Sequence, residues 1–239
     1  MPCSGSVTSK TKVVVAGAAR TPIGKFKGAF SEMPAPRLGA VAVQDAMRRA
    51  HIEPKEVSEL FFGCVIQAGL YQNCARQVVI YSGIPESVSG TTLNMVCGSG
   101  MQAIAQGVRK IQEDPDAIVV AGGTENMSRI PYLLDGARWG YRLGDGVLVD
   151  AMYRDGLFCP LAEMIMGETA DRLAEKLGIS RREQDEYALA SQMKAKKAAA
   201  RGPFRDEIVP VAVKGTGGPD AIVAEDEHPR PETTLEKLA

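Results

Sequence analysis

The segment Thr91-Thr92-Leu93-Asn94-Met95-Val96-Cys97-Gly98-Ser99-Gly100-Met101 passes from a short apolar run, through a cysteine, into a pattern typical of a helix. After the cysteine, apolar side chains recur at the spacing of one helix face: Met101, Ile104, Ala105, Val108 and Ile111. Gly98 and Gly100 allow the backbone to turn tightly. The sequence therefore predicts that Cys97 lies at a sharp strand-to-helix turn.

A cysteine in this position has the properties expected of a nucleophile. The N-terminus of a helix carries a partial positive charge and unpaired N–H groups, which favour an anion. We therefore expect the thiol of Cys97 to be more acidic than a free cysteine, whose pKa is about 8.5. The same N–H groups can stabilise the oxyanion that forms when a thiolate attacks an acyl carbonyl. From these residues alone, a cysteine buried as a small apolar residue is an equally open interpretation.

Composition and charge exclude several classes of protein. The chain has 239 residues, of which 45% are hydrophobic and 24% are charged, and its net charge is −1. Such a chain has no overall field that would attract nucleic acid or an anionic membrane. No apolar run approaches the roughly 20 residues that cross a bilayer, and residues 1–6 lack the apolar core of a secretory signal.

The cysteines and histidines predict neither a metal centre nor a disulfide framework. The five cysteines are widely spaced and include no Cys-x-x-Cys pair, and only two histidines occur, His51 and His228. Unpaired thiols favour a reducing compartment, so we expect a cytoplasmic protein.

Apolar runs and helical patterns alternate along the chain. Residues 13–19, 60–66 and 117–121 are predicted to be buried strands, and residues 38–50 and 163–177 are predicted to be helices. This alternation is typical of a layered α/β domain. No Gly-x-Gly-x-x-Gly follows the first strand, which argues against a dinucleotide-binding fold.

Three ordered motifs resemble the thiolase family, in particular its acetyl-CoA acetyltransferase type. They are Asn94-Met95-Val96-Cys97-Gly98-Ser99-Gly100-Met101, Gly122-Gly123-Thr124-Glu125-Asn126-Met127-Ser128 and Ala19-Arg20-Thr21-Pro22-Ile23-Gly24. The resemblance implies an α/β fold: half of a thiolase, layered α/β/α with a mixed five-stranded sheet, plus an inserted α+β loop domain. It also implies a disordered leader at 1–12, an N-terminal domain with the nucleophile at 13–128, and a loop domain for coenzyme A binding and oligomerisation at 129–239.

The resemblance assigns roles to four residues. Cys97 matches the nucleophile that carries the acyl group as a thioester. Met166 matches a position beside the bound acyl group, and Gln192 and Arg230 match positions that contact coenzyme A. Taken by themselves, Met166 fits a helix core and Arg230 a solvated surface. Ile165 stands where short-chain members often have histidine, so the resemblance leaves the acyl preference open.

The implied reaction is the reversible Claisen condensation of two acetyl-CoA to acetoacetyl-CoA, or the reverse thiolysis of a 3-ketoacyl-CoA, as in fatty acid metabolism. Coenzyme A thioesters are the substrates, and neither a metal nor a cofactor is implied. Thiolases also use a histidine in a Gly-His-Pro segment and a cysteine in a Cys-x-Gly motif of the C-terminal half. No Gly-His-Pro occurs here, and the one Cys-x-Gly, Cys3-Ser4-Gly5, lies in the leader predicted at 1–12. We therefore interpret the chain as the first part of a thiolase, truncated before the C-terminal half and inactive alone.

The implied partners are further copies of the chain, as a homodimer or homotetramer, and a C-terminal half. Two other functions fit the same residues. A ketoacyl synthase relative shares the layered fold and a cysteine nucleophile, although the irregular stretch 130–155 argues against it. A non-catalytic acyl-CoA-binding protein would keep the fold without acyl transfer to Cys97.

Overall fold

The computed structural model describes residues 12–214 and 220–239. The leader predicted at 1–12 falls outside this range except for Lys12. The helices are α1 Ala35–Ala50, α2 Cys74–Tyr81, α3 Ser99–Glu113, α4 Met166–Leu177, α5 Arg181–Arg201 and α6 Leu235–Leu238. Short 3₁₀ segments span Pro54–Glu56, Met127–Arg129 and Pro203–Asp206, and a π-helical turn spans Tyr153–Leu157.

A parallel sheet forms the centre of the first half. Its strands are β1 Glu59–Gly63, β2 Ser89–Leu93 and β3 Val119–Gly123, in the order β2-β1-β3. Helix α2 connects β1 to β2, and α3 connects β2 to β3. Gly63 at the end of β1 lies opposite Leu93 in β2 and Gly123 in β3, so all three strands end at the same edge. This arrangement confirms the predicted layered α/β class.

The sheet carries helices on both faces. Leu60 and Phe62 of β1 point to one face, where α1, α2 and the segments that connect the elements complete the core. The core residues are Val43 and Met47 from α1, Ala75, Val78 and Val79 from α2, and Val57, Ile84 and Val88 from the connecting segments. Alternate residues of a strand face opposite ways, so Gly63 faces α3 on the other side. Burial of these side chains stabilises the fold by about 25 cal/mol for each Å² of apolar surface removed from water.

Helix α3 packs on the sheet through small residues rather than through its large apolar ones. Ser99, Ala103 and Gly107 are its buried residues, and a Cβ on Gly107 would lie 3.2 Å from a methyl carbon of Val119. Met101 and Ile104 are 77% and 53% exposed. The predicted helix is therefore confirmed, but its apolar stripe does not face the sheet, because the small residues allow the helix and the sheet backbones to approach closely.

The strand predicted at residues 13–19 is wrong for the described structure. The segment forms no ladder, and its single bridge joins Arg20 to Ile208. Val14 and Val15 are 68% and 85% exposed. A strand requires a hydrogen-bonded neighbour, and within residues 12–214 and 220–239 none pairs with this segment. The described residues thus contain three of the five strands that the family resemblance implies.

After β3 the chain forms short antiparallel pairs and two longer helices. The pairs are β4 Tyr132–Leu133 with β5 Val149–Asp150, β6 Phe158–Cys159 with β7 Met164–Ile165, and β8 Val211–Val213 with β9 Ala221–Val223. Ser180 caps α5 by accepting a hydrogen bond from the Glu183 N–H, as a capping box does. In the described part of the chain, no helix combines the length and apolarity needed to cross a membrane.

Candidate active site

Cys97 lies in a tight turn between β2 and α3. The turn is closed by hydrogen bonds from the Gly98 N–H to the Met95 carbonyl and from the Ser99 N–H to the Val96 carbonyl, both 3.0 Å. Val96, directly before the cysteine, has a φ of 48°, in the left-handed region. A β-branched residue rarely adopts this conformation, because its side chain crowds the backbone. The predicted sharp strand-to-helix turn is therefore present and holds a strained residue.

Glycines at two strand ends bring the sheet against the start of α3. A Cβ placed on Gly63 would lie 2.7 Å from the Gly100 nitrogen and from the Ser99 Cβ. A Cβ on Gly123 would lie 3.1 Å from the Gly63 carbonyl oxygen. Only a residue without a side chain allows this approach. Cys97 is thereby placed at the edge where all three parallel strands end, the edge at which open α/β sheets bind ligands.

A shallow cavity of about 270 Å³ opens beside the cysteine, and we name it the Cys97 cavity. Its walls come from the ends of β1 and β3 and from the start of α3: Gly63, Cys64, Val65, Val96, Cys97, Ser99, Gly100, Gly123, Thr124 and Glu125. Cys97 itself is exposed, whereas Cys64 and Cys74 are buried. The sulfur that the sequence singled out is therefore accessible, and the interpretation as a buried small residue does not hold for it.

Glu125 forms one wall of the Cys97 cavity with a half-buried carboxyl group. Its Oε2 accepts a hydrogen bond of 2.8 Å from the Val65 N–H, and the Cys64 thiol points at Oε1 from 4.0 Å. Burial raises the pKa of Glu125, and the hydrogen bonds from the Val65 and Ile66 N–H groups oppose this rise.

Cys64 contributes a protonated thiol to the same wall. Its contact with the thiol of Cys74, its burial and the nearby charge of Glu125 all raise the pKa of Cys64 far above the usual range. A thiol attacks carbonyl carbon only as the thiolate. Cys64 is therefore a hydrogen-bond donor within this wall and not a second nucleophile.

Two further predicted residues meet in a separate cavity of about 490 Å³, which we name the Arg230 cavity. The Gln192 side-chain oxygen accepts a hydrogen bond of 2.7 Å from the Arg230 N–H. Ala188, His228, Pro231, Glu232, Thr233, Lys237 and Leu238 complete its walls. Met166, the first residue of α4, is 40% exposed and lines neither cavity. The structure thus joins Gln192 with Arg230 but brings neither them nor Met166 into the Cys97 cavity.

Sequence reasoning missed three contributors to the Cys97 cavity and its turn. Cys64 was predicted to be core, and it is buried, but it also borders the cavity. Glu125 and Asn94 stood inside the quoted motifs without a role. Their places in the sequence could have indicated a role, because Glu125 follows the end of β3 and Asn94 follows the end of β2, at the ligand-binding edge of the sheet. Across residues 12–214 and 220–239, no group of three His, Cys, Asp or Glu side chains is placed to hold a metal ion.

Comparison with known proteins agrees with this geometry. Residues 13–239 match the family described as "Thiolase, N-terminal domain". A probable acetyl-CoA acyltransferase of Staphylococcus epidermidis is 44% identical over 229 residues, which cover 96% of this chain and 58% of that protein. An acetyl-CoA acetyltransferase of Cupriavidus necator has the same identity and coverage.

Solved structures give the same result. An acetyl-CoA acetyltransferase from Syntrophomonas wolfei matches with a TM-score of 0.90 at 39% identity and covers 96% of this chain and 57% of that one. For the Bacillus anthracis acetyl-CoA acetyltransferase the TM-score is 0.89 at 41% identity, with 94% and 56% covered. The chain thus spans somewhat more than half the length of these relatives. Because the family match extends over nearly all of its residues, the chain belongs to the thiolase family and corresponds to its N-terminal domain.

Proposed function

We propose that this chain carries the nucleophile of a thiolase-type acyltransferase and that Cys97 becomes acylated. In this step the Cys97 thiolate attacks the carbonyl carbon of an acyl-CoA. A new C–S bond forms to the Cys97 sulfur, the C–S bond to coenzyme A breaks, and coenzyme A leaves as its thiolate. The observation that carries the proposal is an exposed cysteine on a strained turn at the ligand-binding edge of the sheet.

We propose acetyl-CoA as the acyl donor. The support is the name acetyl-CoA acetyltransferase given to relatives that are 44% identical to this chain. The Arg230 cavity supplies cations in Arg230 and Lys237, and charge-assisted hydrogen bonds of this kind hold phosphate groups. We propose that Gln192 and Arg230 contact coenzyme A there and that Met166 borders the acyl group. The scheme requires neither a metal nor a cofactor.

The second stage of the reaction needs groups that this chain does not contain. A second acetyl-CoA must lose an α-proton and attack the acyl-Cys97 thioester, which requires a base near Cys97. The thiolase Gly-His-Pro segment is absent from the sequence, and its one Cys-x-Gly, Cys3-Ser4-Gly5, precedes residues 13–239 that match the family. The chain covers 58% of its relatives' length. We propose that a polypeptide equivalent to the remainder supplies them, and that the chain alone accepts an acyl group without turning over.

We further propose a homo-oligomer, dimeric or tetrameric, in a reducing compartment such as the cytoplasm. Residues 132–161 expose several large apolar side chains, with Leu143 98%, Leu161 95% and Trp139 87% exposed. Apolar surface of this kind marks interaction sites. The unpaired state of Cys64, Cys74, Cys97 and Cys159 supports the reducing compartment. A monomeric mass in light scattering would contradict the oligomer.

Acyl transfer can be tested directly with radiolabelled acetyl-CoA and peptide mapping. We expect the label on Cys97, and none on Cys159, which is half-buried and does not line the Cys97 cavity. Cys97→Ala should abolish labelling, whereas Cys159→Ala should leave it unchanged. Labelling that survives Cys97→Ala would refute the proposal.

The same assay separates the two alternatives. A ketoacyl synthase relative would take its acyl group from a carrier-protein thioester in preference to acetyl-CoA. A binding protein would retain acetyl-CoA without covalent label, even after addition of the C-terminal part of a relative. We favour acyl transfer because the thiolase family match, over residues 13–239, includes the stretch 130–155.

A further inference from the structure

The turn that presents Cys97 contains one residue whose backbone is unfavourable. Val96 has a φ of 48°, and such a conformation in a β-branched residue costs about 1–3 kcal/mol. Strain of this kind persists only where surrounding contacts impose it. The position directly before the nucleophile decides where the Cys97 Cα–Cβ bond points.

Asn94 joins this strained residue to the chain that follows β1. Its Oδ1 accepts a hydrogen bond of 3.0 Å from the Val96 N–H, and its Nδ2 donates one of 3.0 Å to the Val65 carbonyl. The first bond holds the turn itself, and the second ties the turn to the chain just after β1. The side chain is short, so both bonds fix its position closely.

Val65, whose carbonyl accepts the hydrogen bond from Asn94, lies in a segment that other hydrogen bonds hold in place. The Val65 N–H donates a hydrogen bond of 2.8 Å to Glu125 Oε2, and the Cys64 N–H donates one of 3.0 Å to the Leu93 carbonyl. The chain of contacts therefore runs from Glu125 through Val65 and Asn94 to Val96. It crosses from the end of β3, past the end of β1, to the nucleophile turn.

Ser99 supports the same turn from the helix side. Its hydroxyl donates a hydrogen bond of 2.6 Å to the Val96 carbonyl and accepts one of 2.9 Å from the Met95 N–H. Ser99 is buried and fixed by α3, so this side of the turn is rigid. Asn94 is exposed and provides the tie to β1.

We infer that Asn94 is a positioning residue for acyl transfer: its two hydrogen bonds hold Val96 in the left-handed conformation that aims the Cys97 sulfur at the start of α3. This inference rests on the proposed function, since it assigns Asn94 a role in presenting the nucleophile. Without Asn94, Val96 relaxes to a negative φ and the sulfur turns away from the N–H groups of the helix N-terminus. Those groups favour the thiolate.

The test measures the rate at which iodoacetamide alkylates Cys97 at a fixed pH, with mass-spectrometric mapping and Cys159 as an internal reference. We expect Asn94→Ala to slow Cys97 alkylation about tenfold relative to the parent chain. Asn94→Asp keeps the acceptor for Val96 and loses the donor to Val65, so its rate should lie between the rates of the parent and of Asn94→Ala. Gln77→Ala also removes an amide that bonds to backbone, at the Leu70 and Gln72 carbonyls, and should leave the rate of Cys97 alkylation unchanged.

A rescue experiment separates positioning from general stability. Glycine adopts a φ of 48° without strain, so Asn94 should matter less once Val96 is replaced. We expect Asn94→Ala/Val96→Gly to react within about twofold of Val96→Gly, which is non-additive with the single Asn94→Ala effect. If Asn94→Ala does not fold, as judged by circular dichroism, the same double variant decides the question.

Two results would overturn the inference. One is an unchanged rate of Cys97 alkylation in folded Asn94→Ala, and the other is a double variant that reacts about tenfold more slowly than Val96→Gly. Both readouts use iodoacetamide and need no acyl-CoA. A failure of acetyl labelling in the parent chain would therefore contradict the proposed function without touching the role of Asn94.

Discussion

Glu125, in the wall of the Cys97 cavity, is an ionisable group whose pKa the surrounding structure shifts. Burial raises its pKa above the ordinary glutamate value. The folded chain thus binds the proton more tightly than the unfolded chain does. The free energy of unfolding therefore falls as the pH rises from the ordinary glutamate pKa through the raised one.

We predict that Glu125→Gln removes this part of the pH dependence. The neutral amide keeps an acceptor oxygen for the Val65 N–H but has no charge to bury. The stability of the variant relative to the parent, measured by urea unfolding, should increase as the pH rises from the ordinary glutamate pKa through the raised one. Glu113→Gln, at the exposed end of α3, controls for the loss of one negative charge. A relative stability that stays constant over this range would show that Glu125 does not titrate in this way.

At the scale of elements, the contact of β1 with α3 determines where the nucleophile turn lies. We predict that Gly63→Ala destabilises the fold by about 1–3 kcal/mol, because the new methyl group would overlap Ser99 and Gly100. The same variant should change the alkylation rate of Cys97, since α3 must shift. Gly167→Ala is the matched control: its methyl group meets open space in α4 and should be neutral or slightly stabilising. Equal stabilities in urea for the two variants would contradict the close packing.

Sequence patterns predicted most of the elements because their causes are local. The run at residues 60–66 corresponds to β1, and the helices predicted at 38–50 and 163–177 correspond to α1 and α4. The strand predicted at 13–19 failed because strand formation depends on a neighbour, which no local pattern reveals. The apolar stripe of α3 did not predict which face of the helix packs on the sheet, because that face is decided by small residues that allow close approach to the sheet backbone.

At the scale of the whole molecule, a half-buried ion pair connects the N-terminal part of the described chain to its C-terminal part. Arg20 donates hydrogen bonds to both carboxylate oxygens of Asp226, at 2.7 and 3.0 Å, and the Ile23 N–H donates to Asp226 as well. The hydrogen bonds from Arg20 hold the pKa of Asp226 below its ordinary value. The pair therefore stabilises the fold above the ordinary aspartate pKa, and this contribution disappears as the pH falls through the lowered one.

We predict that Asp226→Asn costs about 1.5–3 kcal/mol near neutral pH, the usual value of hydrogen bonds to a charged group. Trypsin should then cut more rapidly after Arg20, Lys25 and Lys27, because the loop they occupy loses its attachment. Asp116→Asn removes an exposed carboxylate elsewhere and should change neither property. Unaltered digestion of Asp226→Asn would mean that other contacts hold the loop.

The candidate site was predictable in its chemistry but not in its assembly. The Cys97 turn follows from a local pattern of one cysteine and two glycines, and the structure places it as expected. The meeting of Gln192 with Arg230 depends on the path of the chain after α5, and the approach of Glu125 to Val65 depends on the register of β1 and β3. Such contacts join residues that are distant in sequence, so no periodicity encodes them.

The outer side of β3 has a consequence for how the polypeptide behaves by itself. In the described residues β3 pairs only with β1, so a row of its peptide groups faces outward. Peptide groups in this position recruit whatever extended chain reaches them first. During storage of the purified polypeptide, pairing of β3 with its proper neighbouring strand therefore competes with pairing to a second molecule. Dilution favours the former.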